Sequence, residues 1–130
     1  MQVAGQSPAD NQTYYIGEIS VSLNTVATLY RTTVPYACTL VGAVITAVNT
    51  SAGSTTEAST INFRLNNTTD TLLSNAVAFG PNLTVNIYSI TGLNVAIAAG
   101  DTFNIKWTTP IWATNPTGAT LLVTLYLKRT

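Results

Sequence analysis

The sequence predicts an all-β protein: a single antiparallel β-sandwich, jelly-roll-like, with eight or nine strands behind a short N-terminal arm. Three observations predict it. Apolar residues recur with period two almost throughout. Turn signals fall at the 8–12-residue spacing typical of sandwiches. No stretch shows helical periodicity with caps.

Residues 1–13 are polar, lack a core pattern and read as an arm, held by a neighbouring subunit or laid across its own sandwich. Residues 14–130 form the sandwich domain. Ile19, Val21 and Leu23 alternate with Glu18, Ser20 and Ser22, which gives the first strand one buried and one solvated face. A short run, Val26–Tyr30, follows, and Pro35 punctuates the chain before a long strand over Cys38–Val48. The stretch Asn49–Ser59 is a loop of small and polar residues. Ile61, Phe63 and Leu65 alternate with Asn62 and Arg64, and Asn66-Asn67 supplies a turn because Asn tolerates positive φ. A short edge strand is expected over Thr71–Ser74. Leu83, Val85 and Ile87 alternate again, as do Leu93, Val95 and Ile97, which run into the tight turn Ala99-Gly100-Asp101. Phe103, Ile105 and Trp107 line one face of the next strand. Pro110–Gly118 is a loop carrying Trp112, and the last strand, Ala119–Leu127, turns Leu121, Val123, Leu125 and Leu127 inward. Its other face, with Leu122 and Tyr126, is also partly apolar, as in a central strand or one at a subunit contact.

Composition narrows function. Charged residues are 8% of the 130-residue chain, against a usual figure of about 25%. There is no histidine, and five Lys/Arg balance five Asp/Glu. The basic residues are scattered, so the concentrated positive field that nucleic acid requires is missing. The longest apolar stretch, Leu40–Val48, is interrupted by Gly42 and Thr46 and falls short of the ~18 residues of a membrane helix. Neither nucleic acid nor membrane is expected as a partner. The acids Asp10, Glu18, Glu57, Asp70 and Asp101 sit in no catalytic motif; Asp101 is explained by its turn. Asn66, Asn67 and Asp70 come nearest to a calcium loop without making one. No enzyme activity, cofactor or metal is expected. Cys38, the single cysteine, reads as a small buried residue. The start has no basic region followed by an apolar core, so it does not read as a secretory signal. Everything suits synthesis in a reducing cytosol.

The hydrophobic fraction of 46% and mean hydropathy of +0.28 are high for so uncharged a chain, which predicts apolar surface buried between subunits of a homo-oligomer. The candidate contact residues are Trp112, Tyr14, Tyr15, Tyr126 and Leu122. Trp112, in a loop where period does not dictate burial, is read as a subunit anchor, as plain packing, or as a stacking platform for a sugar.

With the strands laid out, a resemblance emerges. It is carried by the first strand Tyr15–Leu23, by Val34-Pro35-Tyr36-Ala37-Cys38-Thr39-Leu40 leading into a long apolar strand, by Ala98-Ala99-Gly100-Asp101-Thr102-Phe103 before a Trp-bearing strand, and by the final hydrophobic strand. Over about residues 15–128 the chain resembles the small jelly-roll-like domains of tailed-bacteriophage virion proteins: capsid cement or decoration proteins, head fibres and tail-fibre tips. A sandwich preceded by only a short arm is more similar to the cement proteins. The resemblance then implies a trimer on the outer capsid surface that clamps the major capsid protein. The alternative it implies is a receptor- or glycan-binding fibre tip. No catalytic residues carry over.

Overall fold

The computed structural model describes residues 12–20, 27–49, 57–78, 84–114, 116 and 118–130. Nine strands lie among them: β1 Gln12–Ser20, β2 Ala27–Thr33, β3 Cys38–Asn49, β4 Ser59–Leu65, β5 Thr69–Val77, β6 Thr84–Ile90, β7 Val95–Ile97, β8 Thr102–Thr108 and β9 Thr120–Arg129. They form two antiparallel sheets. Sheet I has the order β1-β9-β3-β6, with β7 also on β3; sheet II has the order β2-β8-β4-β5.

β6 and β7 behave as one interrupted edge strand. β6 runs along Ala43–Asn49 of β3 and β7 continues along Cys38–Leu40. Between them Gly92 takes φ +74°, a conformation open mainly to glycine, and the Leu93 N–H donates to the Val41 carbonyl at 3.1 Å. Counted so, the chain makes four nested antiparallel pairs: β4/β5 innermost, then β3 with β6–β7, β2/β8, and β1/β9 outermost. Pairing of β3 with β9 and of β4 with β8 rolls this ribbon into two layers. That is an eight-stranded jelly roll.

The sandwich is filled by the alternation seen in the sequence. Leu40, Ala43, Ile45, Leu121, Val123 and Leu125 face inward from sheet I, and Ile61, Phe63, Phe103, Ile105 and Trp107 from sheet II, all buried. Phe63 and Phe103 stack with ring centroids 5.1 Å apart. Cys38 is buried in this core, and burial pushes its thiol pKa up.

Turn chemistry follows the expected residues. Asn66 and Asn67 both have positive φ, as the two central positions of a type I′ hairpin turn require, and the Thr68 N–H closes on the Leu65 carbonyl. Gly100 has φ +89° between Ala98 and Asp101, whose N–H donates to the Ala98 carbonyl at 3.1 Å. The two turns are pinned together. Asn66 Nδ2 donates to Asp101 Oδ1 at 2.9 Å, and Asn66 Oδ1 accepts from the Thr102 N–H at 3.0 Å.

Several boundaries differ from those the sequence suggested. Gln12 and Thr13, assigned to the arm, already pair with Leu127 and Tyr126, because β-pairing needs only backbone. The rest of the arm, 1–11, and Val21 and Leu23 of the first alternating run lie outside the described residues. The expected edge strand Thr71–Ser74 extends over Thr69–Val77, and β9 lies between β1 and β3.

Candidate functional site

The two outer faces of the sandwich differ in chemistry. On sheet II, Arg64 of β4 and Lys106 of β8 both bind Asp70 of β5; the Lys106 Nζ–Asp70 Oδ2 distance is 3.1 Å. Desolvation works to raise the Asp70 pKa, but the hydrogen bonds and charges of Arg64 and Lys106 outweigh it and hold the carboxyl below its ordinary value. This carboxylate is committed to two cations and is not a free ligand. Among the described residues no group of three or more acids or cysteines is placed to hold a metal.

Sheet I is different. No residue of β3, of β6, or of β9 from Thr120 to Leu127 is charged. Register sets out its outer face in rows: Val85, Val48 and Thr120; then Ile87, Thr46 and Leu122; then Ser89, Val44 and Thr124; then Gly42 and Tyr126. Val85 is 56% exposed, Ile87 66% and Tyr126 37%. β-branched residues fit a pleated sheet wherever they point, which is why this face forms well without burying itself.

A bulge shapes one end of the face. The β3–β9 register shifts between Leu40 and Gly42, so Val41 is the extra residue. Opposite Gly42 stands Tyr126. A Cβ on Gly42 would lie 2.7 Å from the Ile90 carbonyl oxygen and 3.7 Å from Tyr126 Cδ2, so only glycine lets the backbones approach this closely. An open cleft of about 360 Å³ results, lined by Val41–Val44, Ser89–Thr91 and Tyr126.

The loop after β8 carries Ile111, 92% exposed, the most exposed large apolar side chain among the described residues. The next residue, Trp112, is 6% exposed and belongs to the core cluster. The Ala113 N–H donates to the Glu57 carboxylate, 2.8 and 3.1 Å from its two oxygens, and fixes the loop behind the tryptophan.

Of the predicted contact residues, the structure brings Tyr126 and Leu122 together on the outer face of sheet I. Of the readings open for Trp112 the structure takes plain packing: the residue is buried in the core cluster, which leaves no open face for a sugar. Tyr14 and Tyr15 stand in β1 opposite Leu125 and Thr124, and their side chains lie outside the described part. Sequence reasoning missed three features. It found the Val85/Ile87 alternation but not that this side of β6 faces out, while Tyr88 and Ile90 pack against the core. It gave no weight to Ile111, and it noted Gly42 only as a break in an apolar run.

No protein-family model and no curated protein matches the chain. Among solved structures, a chain from "Structure of infectious bursal disease virus Gx strain" is similar at 11% identity and TM-score 0.48. The match covers 93% of this chain and 30% of that one. A likeness that low carries no argument, and the class assigned here, an all-β jelly-roll sandwich whose β3, β6 and Thr120–Leu127 stretch carry no charge, rests on strand order and sequence.

Proposed function

We propose that this chain is a structural virion protein. It acts as a cement or decoration protein on the outer capsid surface, assembled as a homo-oligomer, a trimer in the simplest form, and bound to the major capsid protein. It would be made in the host cytoplasm and work by contact alone, without a reaction, cofactor or metal. The observation that carries this reading is the contrast between the two faces: sheet II carries the Arg64–Asp70–Lys106 ion pairs, while on sheet I the strands β3 and β6 and the Thr120–Leu127 stretch of β9 present Val85, Ile87, Leu122 and Tyr126 with no charge among them, Glu18 and Lys128 standing only at the margin. Burying such a face against protein stabilises an assembly through area and hydrogen bonds. The resemblance to small phage jelly rolls supplies the setting. The fold by itself does not, since jelly rolls serve capsids and lectins alike.

The glycan-binding fibre tip is the weaker reading. It needs an exposed aromatic platform, and with Trp112 inside the core, Tyr126 is the aromatic of the uncharged face that could serve. Immunogold labelling of intact virions from the source culture, with antibody raised against this chain, tests the assignment. Gold over the whole head is the expected result. Gold at the tail tip would favour the fibre reading, and virions free of gold would end both.

A further inference from the structure

We propose that two copies of this chain join edge to edge, β6 of one copy pairing antiparallel with β6 of the other about a two-fold axis. This rests on the self-association proposed above and adds one contact to it, which pairs single copies or copies already grouped as trimers.

The four sheet edges are not alike. An edge strand offers unpaired N–H and C=O groups to any further strand, and bulges and charges are the devices that blunt it. β1, β2 and β5 have both. The register shift in β1 leaves Ile16 as an extra residue, with Glu18 close behind. In β2 the extra residue is Leu29, followed by Arg31. β5 takes two extra residues between Val77 and Leu72 and carries Asp70. β6 has neither device. Its 7 residues, Thr84–Ile90, pair one for one with Ala43–Asn49, without a register shift, a proline or a charge. An edge that regular is the one a further strand fits.

The edge is also held in place. The Ala78 N–H donates to the Tyr88 hydroxyl at 2.8 Å, and Asn86 Nδ2 donates to the Ala78 carbonyl at 2.7 Å. These bonds tie the inward side chains of β6 to the end of β5. Among the described residues the main chain of β6 pairs with β3 alone.

A second copy suits this edge because antiparallel pairing fits a strand to itself: about a two-fold axis, each N–H on the edge meets a carbonyl of the same strand in the other copy. With the axis at Ile87, the middle of the strand, Ile87 lies opposite Ile87 and Val85 opposite Ser89. Val85 and Ile87, 56% and 66% exposed, then gain cross-strand neighbours on the outer face. No like charges are brought together. Thr71–Gly100 contains no Asp, Glu, Lys or Arg, and neither does β3. Glu18 stands three strands from Ile87, beyond Thr46 and Leu122. Lys128 and Arg129 stand two strands from β7, beyond Thr39 and Cys38. Asp70 is at the other end of β5 from Ala78.

The test is oxidative cross-linking and light scattering of the full chain at micromolar concentrations. Ile87→Cys should form a disulfide between its two copies. Val44→Cys, one strand further in on the same face, should not, and neither should the wild type, whose Cys38 is buried. Ile87→Lys sets two cations against each other at the axis. It should weaken pairing by about tenfold and halve the particle mass, with Tm unchanged because Ile87 is exposed. An undiminished mass in Ile87→Lys, or Ile87→Cys cross-linking no better than Val44→Cys, would overturn the edge contact while leaving self-association standing. A wild type that is monomeric at every concentration would remove both.

Discussion

Gly42→Ala tests the geometry of the uncharged face directly. The added methyl would meet the Ile90 carbonyl oxygen at 2.7 Å, whereas a comfortable carbon–oxygen approach is about 3.3 Å. The atom in the way is backbone, so β3 and β6 must part by about half an ångström just where their ladder begins, at Ala43 and Ile90. Forcing such a shift costs about 1–3 kcal/mol. Lower entropy of the unfolded chain returns about 0.4–1 kcal/mol, because Gly42 is not among the positive-φ glycines and alanine suits its backbone. The net loss is about 1–2 kcal/mol, which for a domain of this size lowers Tm by roughly 5 °C. Thermal melts followed by circular dichroism and tryptophan fluorescence give the readout. An unchanged or raised Tm would show that β3 and β6 do not approach as described.

Three further outcomes are expected. Trp112→Ala should cost about 3–5 kcal/mol of stability, seen as a lower midpoint in urea, because it empties part of the core; a variant as stable as the wild type would contradict the burial of this ring. Asp101 accepts from Asn66 and from the Ala98 N–H, and these bonds hold its carboxyl below the ordinary 3.8. A depressed carboxyl stabilises the fold above that value and loses its contribution as pH falls through the lower folded-state value. Asp101→Asn should therefore lower Tm at pH 7 and narrow the difference in Tm between pH 7 and pH 3; an equal pH response in both proteins would discount the clamp. Cys38 should react with a thiol reagent only on unfolding, since it is buried and its thiol pKa is raised, and rapid labelling of the native protein would contradict that placement.

The layers were legible because each buried strand declares itself by alternation: Phe103, Ile105 and Trp107 point in, and Leu121, Val123, Leu125 and Leu127 do likewise. Turns were legible where chemistry is restrictive, as at Asn66-Asn67 and Gly100. What alternation does not carry is the sign of the face. β6 is apolar on both sides, Val85 and Ile87 on one and Tyr88 and Ile90 on the other, and only its place at the sheet edge decides which side is covered. The cleft was illegible for a related reason. It depends on a register shift between β3 and β9, which are far apart in sequence. Trp112 stayed open between readings because a loop residue has no period to assign it, and the structure packs it in the core cluster.

The nested ribbon has a consequence for how the molecule comes into being. Its innermost hairpin, β4 with β5, closes over three residues and can form on its own, and each outer pair then encloses a longer stretch than the one before. Closure entropy grows only with the logarithm of that length, about 0.6 kcal/mol for each doubling, so zipping outward stays affordable but becomes progressively slower. β9 follows the other eight described strands in the chain, yet it occupies the middle of sheet I between β1 and β3. Until β9 takes that place, β3 keeps a vacant, uncharged edge in sheet I. Such an edge is a template for pairing with another chain until β9 fills the gap.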